Sequence, residues 1–363
     1  MKIGIITWFK YENYGTALQA LALQKYLRTN GFDVDLINYT IEEKKKKKTL
    51  KHLFPRIILK LNKIRYKNLF LSKTEKFKSI IYDNCNVTKE VTNVEEYIKL
   101  CNSYDIVIFG SDQIWNPDVY HPFYFANFDE IKCKLVAYAP SFGMNHIPED
   151  KIEELKKALS RFSSIAVREE DGCKIIKQLI DIDVDTVVDP TLLLEKNKWK
   201  EFEEPIDICK DDYVLCYFLS DNLCHWKAAR TFAKKKNLKL VVIPHDGLSY
   251  IQSKYVVRSC TVGNFLSLIK NAKYVLTDSF HGSVFSLIYE KQFVLFERHS
   301  NKNSSSQNSR LYNLLRMVGL NEILLKNGTK EIEDVDNIDY SLVRKKINCI
   351  TKKSEDYLKQ VIK

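Results

Sequence analysis

The sequence predicts an α/β protein with two Rossmann-like domains, each built on a parallel sheet, and three observations support this. Short strand-like runs alternate with helical segments along most of the 363 residues, which is typical of parallel sheets covered by helices on both faces. The alternation stops at a polar stretch, residues 195–212, and then begins again. The apolar fraction of 45% is enough for two cores of ordinary size.

The first series of elements predicts an N-terminal domain over residues 1–196. Its first strand is "KIGIITW", and the helix after it carries leucines on or beside one stripe and ends at Gly31. The elements expected after this helix are strands at 33–39, 104–110, 134–141, 164–169 and 186–191, and helices near 93–102, 148–161 and 170–180.

The second series predicts a C-terminal domain over residues 212–345. Strands are expected at 213–219, 239–244, 274–279 and 293–296, and helices at 222–236, 263–270 and 281–290. A final helix is expected over 346–363.

A basic insert interrupts the first series at about residues 42–80. Residues 44–78 hold 14 Lys or Arg and one acid, whereas the whole chain has a net charge of +11. Leucine, isoleucine and phenylalanine are interleaved with these cations, so the insert can lie on an anionic membrane surface. The alternative is a solvated helical excursion with a lysine-rich linker. Nucleic acid is not expected as a partner, because the charge is confined to one insert and no recognition module is present.

The rest of the composition favours a cytoplasmic protein. No apolar run reaches the roughly 18 residues that a membrane-spanning helix needs, and the first apolar run is too short for a signal peptide. The nine cysteines are scattered, without a CxxC pair or a metal-like Cys/His cluster. Reduced cysteines and no bound metal are therefore expected.

Three turns have the same unusual character, at 13–15, 110–113 and 278–283. In each of them a predicted strand ends in small polar residues just before a helix. Because ligands of open α/β sheets bind beyond the carboxyl ends of the strands, these turns are the candidate functional site.

The first turn contains Asn13 and Gly15. The glycine leaves room for a close approach, and the free N–H groups of a helix capped by Asn13 or Thr16 would face an anion or a sugar hydroxyl. The alternative is a simple helix cap. The second turn offers the carboxylate of Asp112, an amide and the ring of Trp115, groups that commonly hold a sugar. The alternative makes Asp112 a cap and Trp115 a core residue.

The third turn contains His281, which is followed by a glycine. A histidine at a strand end is a candidate for acid–base chemistry near neutral pH, although a lone histidine is often structural.

Six motifs follow one another along the chain: "NYGTALQA", "FGSDQIWN", "AYAPSFG", "AVREEDG", "VVDPTLLL" and "YVLTDSFHGSVFSLI". In register, they resemble the polysaccharide pyruvyl transferase family, from residue 3 to about 320. This resemblance implies a GT-B-like pair of domains with parallel sheets facing a central cleft. It also implies transfer of a pyruvyl group from phosphoenolpyruvate to a free or lipid-linked saccharide, forming a ketal and releasing phosphate without a metal or other cofactor.

The resemblance also assigns roles to residues on the donor side. The family's catalytic histidine falls on His281, and the donor arginine of the "VRE" motif falls on Arg168. Many members read Arg-Leu-His where this chain reads Ser279-Phe280-His281, which removes a cation. Arg298 or Arg310 could replace it, and Arg310 is preferred over the alternative of a surface arginine.

The acceptor is expected to meet the first two turns. Asp112 is the candidate base for the attacking hydroxyl, opposite His281 as the acid. The donor-binding set is then Arg168, Ser279, Phe280 and Arg310, and the acceptor-binding set is Asn13, Tyr14, Gly15, Gln19, Ser111 and Gln113.

Two other classes of function stay open. One is a glycosyltransferase of the same architecture that uses a nucleotide-sugar, and the other is a non-catalytic sugar-binding or scaffold protein at the membrane. Fold alone does not separate the two transferases. The acceptor sugar, the hydroxyl pair, lipid linkage and the oligomeric state are not encoded in any motif.

Overall fold

A computed structural model of the protein describes residues 1–40, 53–208, 211–298, 308–333 and 338–363. It contains two six-stranded sheets, and the strands of each sheet are parallel. The strand order is β2-β1-β3-β4-β5-β6 in the first sheet and β12-β11-β10-β7-β8-β9 in the second. The predicted class, two α/β units with parallel sheets, is confirmed.

The first sheet is formed by residues 2–186. Its strands are β1 (Lys2–Ile6), β2 (Asp33–Leu36), β3 (Ile106–Phe109), β4 (Lys134–Tyr138), β5 (Ser164–Val167) and β6 (Asp185–Thr186). The helices in this part of the chain are α1 (Tyr14–Thr29), α2 (Leu53–Arg65), α3 (Lys67–Tyr82), α4 (Val94–Cys101), α5 (Ile152–Leu159), α6 (Glu170–Ile180) and α7 (Lys196–Trp199).

The second sheet is formed by residues 213–325. Its strands are β7 (Tyr213–Tyr217), β8 (Lys239–Val242), β9 (Tyr255–Val256), β10 (Tyr274–Thr277), β11 (Gln292–Phe296) and β12 (Leu324–Leu325). The helices that follow α7 are α8 (Leu223–Lys235), α9 (Val262–Asn271), α10 (Phe280–Ile288), α11 (Ser309–Val318) and α12 (Tyr340–Val361).

The strand predicted over 186–191 is mostly a turn. The Asp189 carboxylate accepts hydrogen bonds from the backbone and the hydroxyl of Thr191, at 3.1 and 2.7 Å. Pro190 has no N–H to give to a strand ladder, so the chain leaves the sheet here. Asp189 is consequently placed at the carboxyl edge of the first sheet rather than inside a strand.

The last helix, α12, begins earlier than the predicted residue 346 and returns to the first sheet. Asp339 caps its first turn by accepting a hydrogen bond from Ser341 N. Its far end contacts the first sheet through the Tyr357 hydroxyl, which donates to Ala137 O, and through Ser354 Oγ, which accepts from Val188 N. The C-terminal helix α12 therefore packs against the N-terminal domain.

The basic insert folds as α2 and α3, while residues 41–52, including the lysine run, lie outside the described residues. Phe77 of α3 is buried and its ring centroid lies 5.0 Å from that of Tyr14 in α1. At the other end, the guanidinium of Arg258 from the second domain lies 4.7 Å from the ring centroid of Tyr66. These two helices are therefore a helical excursion with many solvent-exposed residues, as in the alternative interpretation, but they also contact both domains.

The two domains also meet directly through α1. The ring of Tyr14 stacks on Phe265 of α9 at 4.6 Å, and its hydroxyl donates to Cys260 O at 3.2 Å. From α11, Asn313 Nδ2 donates to Arg168 O at the end of β5. These contacts bring the carboxyl edges of both sheets together at one interface.

Candidate active site

The first turn meets the third turn across the domain interface. Asn13 caps α1, because its Oδ1 accepts from Gly15 N and Thr16 N at 3.0 and 3.3 Å. A Cβ added to Gly15 would lie 1.9 Å from Nδ1 of His281, which belongs to α10 of the second domain. A glycine is therefore needed here because an imidazole, and not only a ligand, approaches the start of α1.

The other imidazole nitrogen faces a carboxylate of the first domain. Nε2 of His281 lies 3.4 Å from Oδ2 of Asp189, and the same oxygen accepts from Arg168 Nη1 at 2.8 Å. Burial alone would raise the pKa of Asp189, but His281 and Arg168 hold it well below its usual value. Asp189 is thus an anion that links the catalytic candidate to the donor-binding candidate.

Arg168 is a buried cation surrounded by carboxylates. Beyond Asp189, its nitrogens lie 3.9 Å from Asp112 and 4.0 Å from Glu169. Burial opposes its charge, yet these carboxylates raise its pKa. Its Nε and Nη2 have no hydrogen-bond partner among the described residues. The guanidinium also lies 4.5 Å from the centroid of the Phe280 ring, so the predicted donor residue Phe280 covers one face of this cation.

A second buried arginine lies near this group. Arg310 on α11 is 6% exposed, so it is not the surface arginine of the alternative interpretation. Burial lowers its pKa to about 9, and the neighbouring cations Arg168 and Arg298 add to this effect, partly offset by Glu169 and Asp112. Cations that destabilise one another in this way are stabilised by an anionic ligand.

Asp112 lies on the first-domain side of the group. Its Oδ2 accepts from Thr16 Oγ1 at 2.7 Å, and its Oδ1 accepts from Gln113 N at 2.9 Å. Gln19 is fully buried and donates to Thr7, Trp8 and Thr16 while accepting from Ser111 N. It fixes the second turn against the first. The role of Asp112 as a base stays a prediction.

The remaining predicted residues are distributed as follows. Ser279 caps α10 by accepting from Gly282 N, and Ser111 Oγ donates to Ala139 O. Gln113 Nε2 is buried without a hydrogen-bond partner among the described residues. Trp115 is fully buried and its Nε1 donates to Tyr124 O. The expectation that Trp115 offers its ring to a sugar is therefore wrong, because the ring is part of the core.

Two carboxylates of this group were not assigned from the sequence. Asp189 and Glu169 both follow strands of the first sheet, in "VVDP" and "VRE", and are 2% and 1% exposed. Glu169 Oε1 accepts from Ser141 Oγ and from Phe142 N. The available signal was their position directly after apolar runs, the same signal that singled out Asp112.

The space inside this group is small. The cavity bordered by Arg168, Asp189 and Phe280 has a volume of only about 10 Å³, room for about one water molecule. A ligand that reaches Arg168 therefore requires movement between the two domains. The described residues hold no group of three or more His, Cys, Asp or Glu side chains suited to a metal ion.

Two parallel α/β sheets whose carboxyl edges face each other across a domain interface define a GT-B fold protein, and solved structures share this architecture over nearly their whole length. The Anabaena protein HepE in complex with UDP and glucose aligns with a TM-score of 0.56 and 11% identity, covering 99% of this chain and 100% of that one. The UDP-GlcNAc 2-epimerase of Methanocaldococcus jannaschii aligns with a TM-score of 0.55 and 12% identity, covering 97% and 93%.

The family follows from the sequence itself. The sequence model of the polysaccharide pyruvyl transferase family matches residues 13–300, so the chain belongs to that family, as the six motifs predicted. No curated protein matches the sequence at a significant level.

Proposed function

We propose that this protein transfers a pyruvyl group from phosphoenolpyruvate to a saccharide used in surface-polysaccharide biosynthesis, forming a ketal and releasing phosphate. The observation that carries the proposal is the pair of buried arginines, Arg168 and Arg310, beside the His281–Asp189 contact. Phosphoenolpyruvate carries about three negative charges, and arginine forks are suited to its phosphate and carboxylate groups.

The residues divide the chemistry between the domains. Ketal formation adds a proton to the vinyl carbon of the donor and one sugar hydroxyl to its neighbour. Loss of phosphate and addition of a second hydroxyl complete the reaction. In this proposal His281 gives and takes protons, Asp189 aligns its ring, and Asp112 is the candidate base for the hydroxyl. Once the domains separate, the acceptor side is bordered by Asn13, Gly15 and the second turn.

The proposal is tested by phosphate release. The purified protein is expected to release phosphate from phosphoenolpyruvate only when a suitable saccharide is present, with a mass gain on that saccharide corresponding to a pyruvyl ketal. Free and lipid-linked saccharides form the two arms of the assay. No release with any acceptor, together with retained donor binding, would contradict pyruvyl transfer.

A second candidate function is transfer of a sugar from a nucleotide-sugar. It is favoured by solved structures of the same fold, because the HepE structure contains UDP and glucose. The structure of the S. aureus protein MnaA contains UDP. It aligns with a TM-score of 0.51 and 11% identity, covering 100% of this chain and 98% of that one. Thermal unfolding separates the two candidates. Stabilisation by UDP and not by phosphoenolpyruvate would favour the second.

We also propose that the protein binds the inner face of the cell membrane through the outer face of α2. None of the described helices is long and apolar enough to cross a bilayer. The inner face of α2, with Ile58 and Leu59, packs on the second domain. Its outer face exposes a stripe of large apolar residues flanked by cations. The stripe is Phe54, Ile57, Leu61 and Ile64, and the cations beside it are Arg56, Lys60, Lys63 and Arg65, with Lys67 at the start of α3.

Binding to anionic vesicles is expected to weaken with salt, because the attraction decays over a Debye length of about 8 Å at physiological ionic strength. Replacing Leu61 and Ile64 by Asp should lower vesicle co-sedimentation by at least about tenfold, since both side chains would otherwise enter the bilayer. Leu342→Asp, on the exposed face of α12, is the control. Equal pelleting of the double variant and the control would exclude this surface. Deleting the insert is not a suitable test, because α2 and α3 contact both domains.

A further inference from the structure

A second, larger cavity lies between α2 and the carboxyl edge of the second sheet. Its volume is about 660 Å³, within the range of small-molecule sites. Arg56 and Leu59 of α2 form one wall, and the loops after β7 and β8 form the others, with Arg298 after β11. Of the residues proposed for the donor or the acceptor, only Arg298, the alternative to Arg310 as the replacement cation, lines this cavity.

This cavity is structurally tied to the strand end that carries His281. Arg298 Nη2 donates to Asp278 O at 3.1 Å, and Asp278 directly precedes the Ser279-Phe280-His281 segment. The Asp278 carboxylate accepts from Leu219 N at 2.6 Å and from Ser220 N at 3.0 Å, and both of these residues line the cavity. A ligand in the cavity would therefore lie beside the candidate active site.

The charges that line the cavity balance. Arg56 and Arg298 face the carboxylates of Asp221 and Asp246 across the same space. His245, the remaining titratable side chain of this lining, is exposed to solvent. A trianion such as phosphoenolpyruvate gains no net attraction from such a lining, in contrast to the group around Arg168 and Arg310.

The polar groups instead match a ligand rich in hydroxyls. Carboxylate, amide, guanidinium and imidazole groups supply both donors and acceptors, and the amides come from Asn222 and Asn327. Oδ2 of Asp246 has no hydrogen-bond partner among the described residues, so a hydroxyl donor would satisfy it. Leu59 and Leu219 add apolar surface for the face of a sugar ring.

We infer that this cavity is a second acceptor subsite, which binds neutral saccharide units flanking the one that receives the pyruvyl group. That one of the bound sugars receives a pyruvyl group rests on the proposed function, whereas binding of a saccharide in this cavity does not. Arg56 and Leu59 also line a shallower depression together with Lys60, Lys63 and Ile64 of α2. A saccharide that extends out of the cavity would therefore emerge next to the proposed membrane-binding face.

The test is saturation-transfer NMR on the full chain without phosphoenolpyruvate, using cellobiose, lactose and N,N′-diacetylchitobiose as probes. At least one of them is expected to bind the wild-type protein. His245→Ala and Arg56→Ala should each weaken that binding by about tenfold, the loss of one hydrogen bond to a polar or charged group. Lys227→Ala, an exposed cation of α8 outside the cavity, is the matched control.

The outcomes separate this inference from the proposed function. Absence of binding of all three disaccharides to the wild-type protein, or equal binding by His245→Ala, Arg56→Ala and Lys227→Ala, would overturn the subsite. Titration with phosphoenolpyruvate is run in parallel. Donor affinity that falls in the two cavity variants would instead make the cavity the donor site. Saccharide binding without any phosphate release would leave the subsite standing and count against pyruvyl transfer.

Discussion

His281→Ala is expected to lower turnover by about 10²- to 10⁴-fold, the usual contribution of a general acid–base group, with donor binding largely retained. The imidazole of the second domain lies against both Gly15 and Asp189 of the first domain. Its removal takes away the proposed proton donor while leaving Arg168 and Arg310 in place. The measurement is phosphate release under saturating donor and acceptor.

The variant Gly15→Ala tests the role of His281 in a second way. The new methyl group would occupy the position of the His281 ring, so the ring or α1 must move. Turnover should fall although every polar group is still present. His146→Ala, on an exposed loop of the first domain, is the control. Near wild-type turnover of His281→Ala with a confirmed acceptor would refute the assignment of the acid.

Arg168→Ala is expected to weaken phosphoenolpyruvate binding by about ten- to hundredfold, because a bidentate, charge-assisted contact is lost. The same change leaves Asp189, Asp112 and Glu169 without their shared counter-charge. Breaking a buried ion pair from one side costs about 3–5 kcal/mol, so the thermal unfolding temperature should also fall. Donor titration by calorimetry is therefore made at a temperature at which the variant is folded.

Arg316→Ala is the matched control, since it removes an exposed arginine from α11, the helix that carries Arg310. It should change neither donor affinity nor stability by more than a small amount. Unchanged affinity in a folded Arg168→Ala protein would remove Arg168 from the donor site. A large loss of stability with unchanged affinity would make it a purely structural cation.

The sequence by itself determined the architecture and the places where polar residues leave the strands. The continuous apolar run in "YDIVIFG" and the leucine-spaced helix after Gly15 are local patterns, so each identifies an element without its neighbours. The three turns could be found for the same reason, because each lies between a strand-like run and a helical pattern. The motifs also placed the chain in its family, which the match over residues 13–300 confirms.

Only the tertiary structure decided which of these residues meet. Arg168, Asp189 and His281 are far apart in sequence and come from two domains, so no local period indicates that one carboxylate contacts both partners. Burial likewise decided that Trp115 is a core residue and that Arg310 is enclosed. The basic insert shows the same difference between sequence and tertiary structure. Its charge is evident from composition. Which face of α2 packs on the second domain depends on the partner surface, and a single helix does not specify that surface.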